Sequence, residues 1–168
     1  LGEIGADELV PDPPFVGHIA AKEQQVHWAV TWLEDGGEGI GESYVNLIPT
    51  TQGGSHVSGF RSGLTDAVRE FCDYRALLPR GVKLAPEDVW QYCAFVLSLR
   101  MKEPQFTGQT KDRLSSRDAG AFTSAAAKDA FSLWLNQHAE QGERIARLAI
   151  DSAQSRLKSA RQVERKKV

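Results

Sequence analysis

Four stretches of the chain have the short, apolar, β-branched or aromatic character of strands, namely residues 15–21, 26–33, 43–50 and 89–101. The segment between the second and third stretches is rich in glycine, which supplies the positive φ angles of tight turns. The pattern therefore predicts a β-hairpin over residues 26–50. The fourth stretch is the most apolar of the set, and we expect it to be the central strand of a sheet.

Three other segments repeat apolar residues every three or four positions, as a helix with one buried face does. The first opens after a Gly-Gly pair, with Ser55 as its expected N-cap; an anion site at this helix N-terminus is the alternative. The second starts near Ser115 and Asp118, which form an S-x-x-D capping pattern. The third occupies residues 140–168 and has no glycine or proline stop, so we expect it to continue in a longer protein. A short helical turn is also predicted to begin at Pro86.

This order of elements predicts an α+β fold in which helices cover a mixed sheet. The 168 residues are enough for one domain with its own core. We expect residues 1–14, which are acidic and end in "PDPP", to be an extended connector. Residues 15–139 are then the domain core, and residues 140–168 form a long C-terminal exit helix.

Charge is distributed unevenly along the chain. Residues 1–50 contain nine acids and one base, whereas residues 140–168 contain eight bases and four acids. The net charge of −2 gives no reason to expect nonspecific DNA binding by the whole chain. The basic C-terminal segment fits either a solvated helix face or a contact with DNA phosphates.

The cysteine content and the absence of long apolar runs bear on the cellular compartment. Cys72 and Cys93 are the two cysteines, which is too few for a disulfide framework and fits a reducing compartment. No stretch reaches the roughly 20 apolar residues that span a bilayer, and the first residues do not resemble a signal peptide. We expect a cytoplasmic protein without a membrane partner. The chain also begins without Met, which favours a fragment of a longer protein.

Three motifs that suggest chemistry do not meet the spacing that it requires. "GGEGIG" at residues 36–41 lacks a following Lys-Ser or Lys-Thr and is flanked by acids, so a hairpin turn is favoured over a phosphate loop. Ser55 and His56 are adjacent, but the G-x-S-x-G elbow of a nucleophilic serine is missing. The four histidines and two cysteines do not have the spacing of a zinc site, so we expect no metal.

The segment "EPQFTGQTKDRLSS", residues 103–116, follows the predicted central strand and has a polar loop composition. Lysines in such loops are usually solvated. Lys111 can also contact a phosphate group as a mobile point charge, with Gln109 and Thr110 orienting the loop or adding hydrogen bonds. The residues alone leave both interpretations open.

Several long motifs decide between these interpretations by resemblance. "ESYVNLIPTTQGGSHVSGFRSG", "LLPRGVKL", "VLSLRMKEPQFTGQTKDRLSSR" and "KDAFSLWLNQ" resemble the transducer, or second, domain of type IIA topoisomerase ATPase subunits. The resemblance covers about residues 15–168 and is closer to the topoisomerase IV B subunits than to gyrase B. The departures are conservative, with "EPQF" for the usual "DPQF" and "GGSH" for "GGTH".

The resemblance implies a role for the loop after the central strand. In this family, a GHKL-type domain that precedes the transducer binds ATP with Mg²⁺, and the QTK loop reaches into its nucleotide site. By match, Lys111 contacts the γ-phosphate, Gln109 helps to position it, and Thr110 completes the cofactor-binding motif. The catalytic glutamate and the magnesium-binding asparagine belong to the preceding domain. We therefore expect this chain alone to bind no cofactor and hydrolyse no ATP, with Gln109–Lys111 exposed and mobile.

The resemblance also implies partners in the bacterial cytoplasm. They are the preceding GHKL ATPase domain, a second B subunit, the topoisomerase IV A subunit and double-stranded DNA. In this family, the transducers wall a cavity for the transported duplex, and Arg61 matches an arginine that lines it. The alternatives are the equivalent domain of gyrase B and a freestanding DNA-binding or interaction module.

Overall fold

The computed structural model describes residues 9–35 and 37–167. Its elements follow in the chain order β1 (Leu9–Ala20), β2 (Gln24–Leu33), β3 (Ile40–Val45), β4 (Ile48–Pro49), α1 (Ser55–Tyr74), α2 (Pro86–Trp90), β5 (Cys93–Met101), α3 (Arg117–Gln137) and α4 (Ala139–Lys167). The strands form one sheet in the order β1-β2-β5-β3-β4, with β3 parallel to β5 and the other neighbours antiparallel. The predicted α+β class with a mixed sheet is confirmed.

Alternation along the strands places one face of the sheet in the core. Val26, Trp28, Val30 and Trp32 are buried along β2, whereas His27 between them is exposed. The buried set belongs to one cluster with apolar residues of all four helices. The helices therefore cover the face of the sheet on which these residues lie.

Strand β1 begins earlier than its apolar pattern predicts. Leu9 and Val10 are buried and pair with the end of β2, and the register shifts between Val10 and Phe15. The hydroxyl of Thr31 donates a hydrogen bond to the carbonyl of Pro11 at 2.7 Å. Prolines are compatible with an edge strand at such an irregularity, so residues 9–14 belong to the sheet and the predicted connector is wrong there. Residues 1–8 lie outside the described residues.

The predicted hairpin over residues 26–50 is also wrong, because β5 lies between β2 and β3. Ile40 pairs with Ala94 and Val45 with Leu99 in the parallel β3-β5 ladder. The most apolar strand thus takes the centre of the sheet, where both of its edges are hydrogen-bonded. The glycine-rich segment is a connection past the start of β5: the Gly39 amide donates to the Gln91 carbonyl at 3.1 Å.

Strand β5 itself starts at Cys93, four residues later than predicted. Pro86 begins helix α2, as expected, and that helix continues through Trp90. The indole N–H of Trp32 donates to the Val89 carbonyl at 2.8 Å. The first two residues of the predicted strand, Val89 and Trp90, therefore belong to a helix that packs on β2.

The helix starts differ from the predicted caps. Gly54 occupies the N-cap position of α1, and the Ser55 hydroxyl donates instead to the Ser116 carbonyl at 2.6 Å. Ser116, not Ser115, is the N-cap of α3, and its hydroxyl accepts a hydrogen bond from the Gln105 amide at 2.9 Å. Ser55 therefore connects the start of α1 to the start of α3, and Ser116 connects the start of α3 to the loop that precedes it.

Helices α1 and α3 approach closely at glycines. A Cβ atom on Gly59 would lie 2.2 Å from the Gly120 carbonyl oxygen, and one on Gly63 would lie 2.4 Å from the Ser124 carbonyl oxygen. Real Cβ atoms do not come so near to backbone, so this crossing depends on residues without side chains.

Helix α4 packs on the core with its first half and leaves it with its second. Ile145, Ala149 and Ala153 are buried, whereas residues 158–166 are exposed. None of the helices in the described part of the chain is long and apolar enough to cross a bilayer. That α4 leads to a further domain stays a prediction.

Candidate functional site

The segment after β5 folds back on itself into a narrow loop. Phe106 and Leu114 form an antiparallel bridge, and inside it the Thr107 amide donates to the Arg113 carbonyl at 2.9 Å. We call residues 106–114 the QTK loop. The two sides of the loop are therefore joined by backbone hydrogen bonds at its base, and its central residues form the tip.

Gln109, Thr110 and Lys111 lie at the tip of the QTK loop and are all exposed. Lys111 has a φ of 58°, in the left-handed region that side-chain-bearing residues rarely adopt. The Thr110 hydroxyl donates to the Asp112 carboxylate at 2.7 Å, and Lys111 forms no ion pair with any residue between 9–35 or 37–167. The predicted exposure is confirmed, and the predicted mobility stays a prediction.

One side of the QTK loop is bonded to the segment that precedes helix α1. The Gln52 amide donates to the Asp112 carbonyl at 2.9 Å, the Leu114 amide to the Gly53 carbonyl at 3.1 Å, and the Ser55 amide to the Leu114 carbonyl at 2.9 Å. We call these three bonds the loop ladder. They fix the C-terminal side of the loop to the start of α1, while its tip projects into solvent.

The two segments of the loop ladder approach each other most closely where Gly54 lies against Leu114. Gly54 has a φ of 137°, which only glycine adopts readily. A Cβ atom there would lie 2.4 Å from both the amide nitrogen and the carbonyl oxygen of Leu114. The Gly-Gly pair has the local pattern of a turn before a helix, and its contact with the loop is not visible in the sequence because the two segments are far apart in the chain.

A polar groove of about 1140 Å³ runs between β3, the start of α1 and the start of β5. Arg61 lies on its α1 wall, with its guanidinium 5.2 Å from the centre of the Trp90 ring. Arg113 of the QTK loop lines the same groove, and Glu38 and Glu42 lie on the β3 side. Two arginines and two glutamates therefore line the groove.

The structure separates the predicted site residues into two places. Arg61 lines the groove, whereas Lys111 does not. Arg113 joins the loop to the groove and was not singled out from the sequence; its position two residues after Lys111 was the only signal for it. The site thus has one exposed cation at the loop tip and a pair of cations, Arg61 and Arg113, in the groove.

A buried histidine beside the loop ladder is held neutral. His56 is fully buried, its Nε2 lies 3.2 Å from the Thr50 hydroxyl, and that hydroxyl lies 2.6 Å from the Ser43 hydroxyl. Burial lowers the pKa of His56 to about 4. Its Nδ1 has no partner among the described residues, so no carboxylate orients the ring as in a catalytic triad.

The described residues contain no cluster of three or more His, Cys, Asp or Glu side chains that could hold a metal ion. Cys72 and Cys93 are both buried free thiols. Burial raises the pKa of Cys72 to about 11 and that of Cys93 well above its usual value. Neither thiol is therefore ionised near neutral pH, as a cysteine nucleophile would need to be.

Comparison with known proteins identifies the family of this chain. The profile described as DNA gyrase B matches residues 5–165. The chain belongs to the DNA gyrase B family. Among curated relatives, it is 64% identical over 159 residues to the DNA topoisomerase 4 B subunit of Pseudomonas aeruginosa, covering 95% of this chain and 25% of the relative. The corresponding protein of Escherichia coli is 58% identical over 159 residues, covering 95% of this chain and 25% of the relative. This gyrase B family chain thus spans about a quarter of the length of the curated relatives that it matches.

Solved structures of the same family share the fold. The topoisomerase IV ATP-binding domain of Francisella tularensis, in complex with a small-molecule inhibitor, is 33% identical with a TM-score of 0.82, over 88% of this chain and 41% of that one. The 43K ATPase domain of Thermus thermophilus gyrase B, in complex with an aminocoumarin, is 23% identical, again with a TM-score of 0.82, over 90% of this chain and 40% of that one.

Proposed function

We propose that this chain is the transducer domain of a topoisomerase IV B subunit. In that role, it passes the state of ATP in a preceding GHKL domain to the steps that move one DNA duplex through another. The relatives that are at least 58% identical are B subunits of topoisomerase 4, which supports topoisomerase IV over gyrase. The work is done in the bacterial cytoplasm with the topoisomerase IV A subunit, a second B subunit and double-stranded DNA.

The observation that carries this proposal is the position of Lys111. Its side chain is exposed at the tip of a loop whose base is fixed by backbone hydrogen bonds. Asp112 binds Thr110 instead of neutralising the lysine. An unneutralised cation on a supported loop can reach a ligand held by another domain and place its charge on the γ-phosphate, where negative charge is concentrated in phosphoryl transfer.

The contact also explains how a signal would begin. Lys111 loses its partner when the γ-phosphate leaves, because the contact depends on intact ATP. The loop and the domain behind it can then shift relative to the nucleotide domain. Gln109 orients the phosphate from the same loop tip, and Thr110 sets the loop conformation through Asp112. The neighbouring domain supplies the Mg²⁺ site and the groups that activate water.

Arg61 has a separate role in this proposal. It lies in the groove with Arg113, and both guanidinium groups can approach DNA phosphates. We place this groove on the wall of the cavity through which the transported duplex passes. ATP would therefore act at the tip of the QTK loop, and DNA in the groove that Arg113 of the same loop lines.

The test is ATP turnover by the full-length B subunit that carries Lys111→Ala. We expect turnover to fall by about a hundredfold or more, while circular dichroism and thermal unfolding stay unchanged, because the side chain is exposed. Lys102→Ala, which removes an exposed lysine just before the loop, is the matched control. Unchanged turnover in Lys111→Ala would reject the γ-phosphate contact, and ATP hydrolysis by the 168-residue chain alone would show that the active site is elsewhere.

A further inference from the structure

We infer that the loop ladder is a positioning device for Lys111, and that Gly54 and Ser116 are positioning residues for ATP turnover. This inference rests on the proposed contact between Lys111 and the γ-phosphate. It goes beyond that contact because neither residue belongs to the loop tip or can reach a ligand there. They act on the QTK loop from its two sides, through the backbone at its base.

On the C-terminal side, the loop is held by backbone atoms alone. Residues 52–55 and residues 112–114 exchange the three bonds of the loop ladder, with donor–acceptor distances of 2.9–3.1 Å. The approach is possible only because Gly54 has no side chain: a Cβ atom would lie 2.4 Å from two backbone atoms of Leu114. An alanine there must push Leu114 away, and Leu114 is only three residues from Lys111.

On the N-terminal side, Gln105, which directly precedes the loop, is held by the hydroxyl group of Ser116 and by Ser115. Ser116 accepts a hydrogen bond from the Gln105 amide at 2.9 Å, and its own carbonyl accepts one from the Ser55 hydroxyl at 2.6 Å. The Ser115 amide donates to the Gln105 carbonyl at 2.8 Å. The start of α3 and the start of α1 therefore hold both ends of the loop at once.

Rigid support of this kind matters for a group that acts at a distance from its own domain. A displacement of about 1 Å at a reacting group can cost about a hundredfold in rate, because the group no longer meets the developing charge. Lys111 itself has a positive φ of 58°, a conformation that the surrounding structure must impose. The ladder supplies that constraint next to the tip.

The experiment is steady-state ATP turnover by the full-length B subunit, with Gly54→Ala and Ser116→Ala as test variants. We expect kcat to fall roughly ten- to a hundredfold in Gly54→Ala and several-fold in Ser116→Ala. The KM for ATP should change less than about threefold in both, because the ladder does not touch the nucleotide. Ser116→Thr keeps the hydroxyl and should restore most of the lost kcat.

Gly81→Ala is the matched control. Gly81 also has a positive φ, 81°, but nothing lies within 4 Å of its Cβ position. Gly81→Ala therefore introduces strain at a positive φ without touching the loop, and its kcat should stay near that of the unchanged protein. Hydrogen exchange at the amides of Thr107, Leu114 and Ser115 gives a second readout, and we expect faster exchange in the test variants alone.

The results separate this inference from the proposed function. If Lys111→Ala lowers turnover but a folded Gly54→Ala or Ser116→Ala exchanges its loop amides faster at unchanged kcat, the positioning role is wrong. If Lys111→Ala has no effect, the proposed function itself is wrong. Should Gly54→Ala fail to fold, the Ser116→Ala and Ser116→Thr pair decides the question, since a retained kcat in Ser116→Ala contradicts the inference.

Discussion

Arg156 on helix α4 and Asp88 on helix α2 form an ion pair in which Nη2 of the arginine lies 3.0 Å from Oδ2 of the aspartate. The Asp88 side chain is only 1% exposed, whereas that of Arg156 is 40% exposed. The aspartate also accepts hydrogen bonds from the Ala85 amide at 2.8 Å and the Ser152 hydroxyl at 3.1 Å. The pair therefore fixes the C-terminal helix to the core through one buried, fully bonded carboxylate.

Loss of Arg156 should destabilise the domain more than loss of an ordinary surface arginine. Arg156→Ala leaves the buried Asp88 carboxylate without a cation, and we expect the free energy of unfolding to fall, because an uncompensated buried charge is costly. Adding Asp88→Asn to that variant should recover part of the loss, because a neutral amide can remain buried at lower cost. Urea denaturation measures both, and the exposed Arg147→Ala on the same helix is the control.

The close crossing of α1 and α3 gives a second prediction. Alanine normally stabilises a helix relative to glycine by about 1 kcal/mol, but Gly59→Ala would place Cβ 2.2 Å from the Gly120 carbonyl oxygen. We expect a net loss of about 1–3 kcal/mol instead, because the helices must move apart. Thermal unfolding shows whether Gly59→Ala stabilises or destabilises the protein. An increase in stability would contradict the described helix crossing.

Protonation of His56 should weaken the fold in mild acid. Burial lowers the pKa of His56 to about 4 in the folded state, below the unfolded value of about 6.5. The unfolded chain therefore binds the extra proton first as pH falls. Stability should decrease between about pH 6.5 and 4, with a contribution from this group on the order of 3 kcal/mol. Urea denaturation across this pH range gives the free energy of unfolding of the unchanged protein and of His56→Asn. The difference between the two curves isolates the contribution of His56.

The groove arginine should affect DNA binding in a salt-dependent way. Arg61→Ala in the full-length B subunit removes one potential phosphate contact, so the slope of log affinity against log salt should fall by about 1. Arg80→Ala, at an exposed position outside the groove, should leave the slope unchanged. An equal effect of both variants would assign the loss to net charge and not to the groove.

Local sequence patterns predicted the elements well and their pairing less well. The strands and helices lie near their expected positions, because periodicity reports which face of each element is buried. The hairpin over residues 26–50 failed because β5 inserts between its strands, and insertion depends on a segment more than forty residues further along. The early start of β1 was hidden by Pro11, Pro13 and Pro14, which local rules assign to a connector.

The candidate site also contains features that can be found from the sequence and features that depend on tertiary contacts. The motif containing Gln109 and Lys111 could be singled out from the sequence by resemblance, because its residues are consecutive. The loop ladder could not, since helices α1 and α2 and strand β5 separate Gly54 from Leu114 in the chain. Arg113 was missed for a similar reason: the side on which a loop side chain lies is set by the backbone of that loop.

The parallel pairing of β3 with β5 has a consequence for synthesis. Ile40 leaves the ribosome well before Ala94, its partner in the sheet, and helices α1 and α2 are made in between. Contacts of such wide sequence separation form late and slowly. During that interval, the inner edges of β2 and β3 are both unpaired, which exposes the nascent chain to mispairing with other strands. The emergence of β5 closes both edges at once.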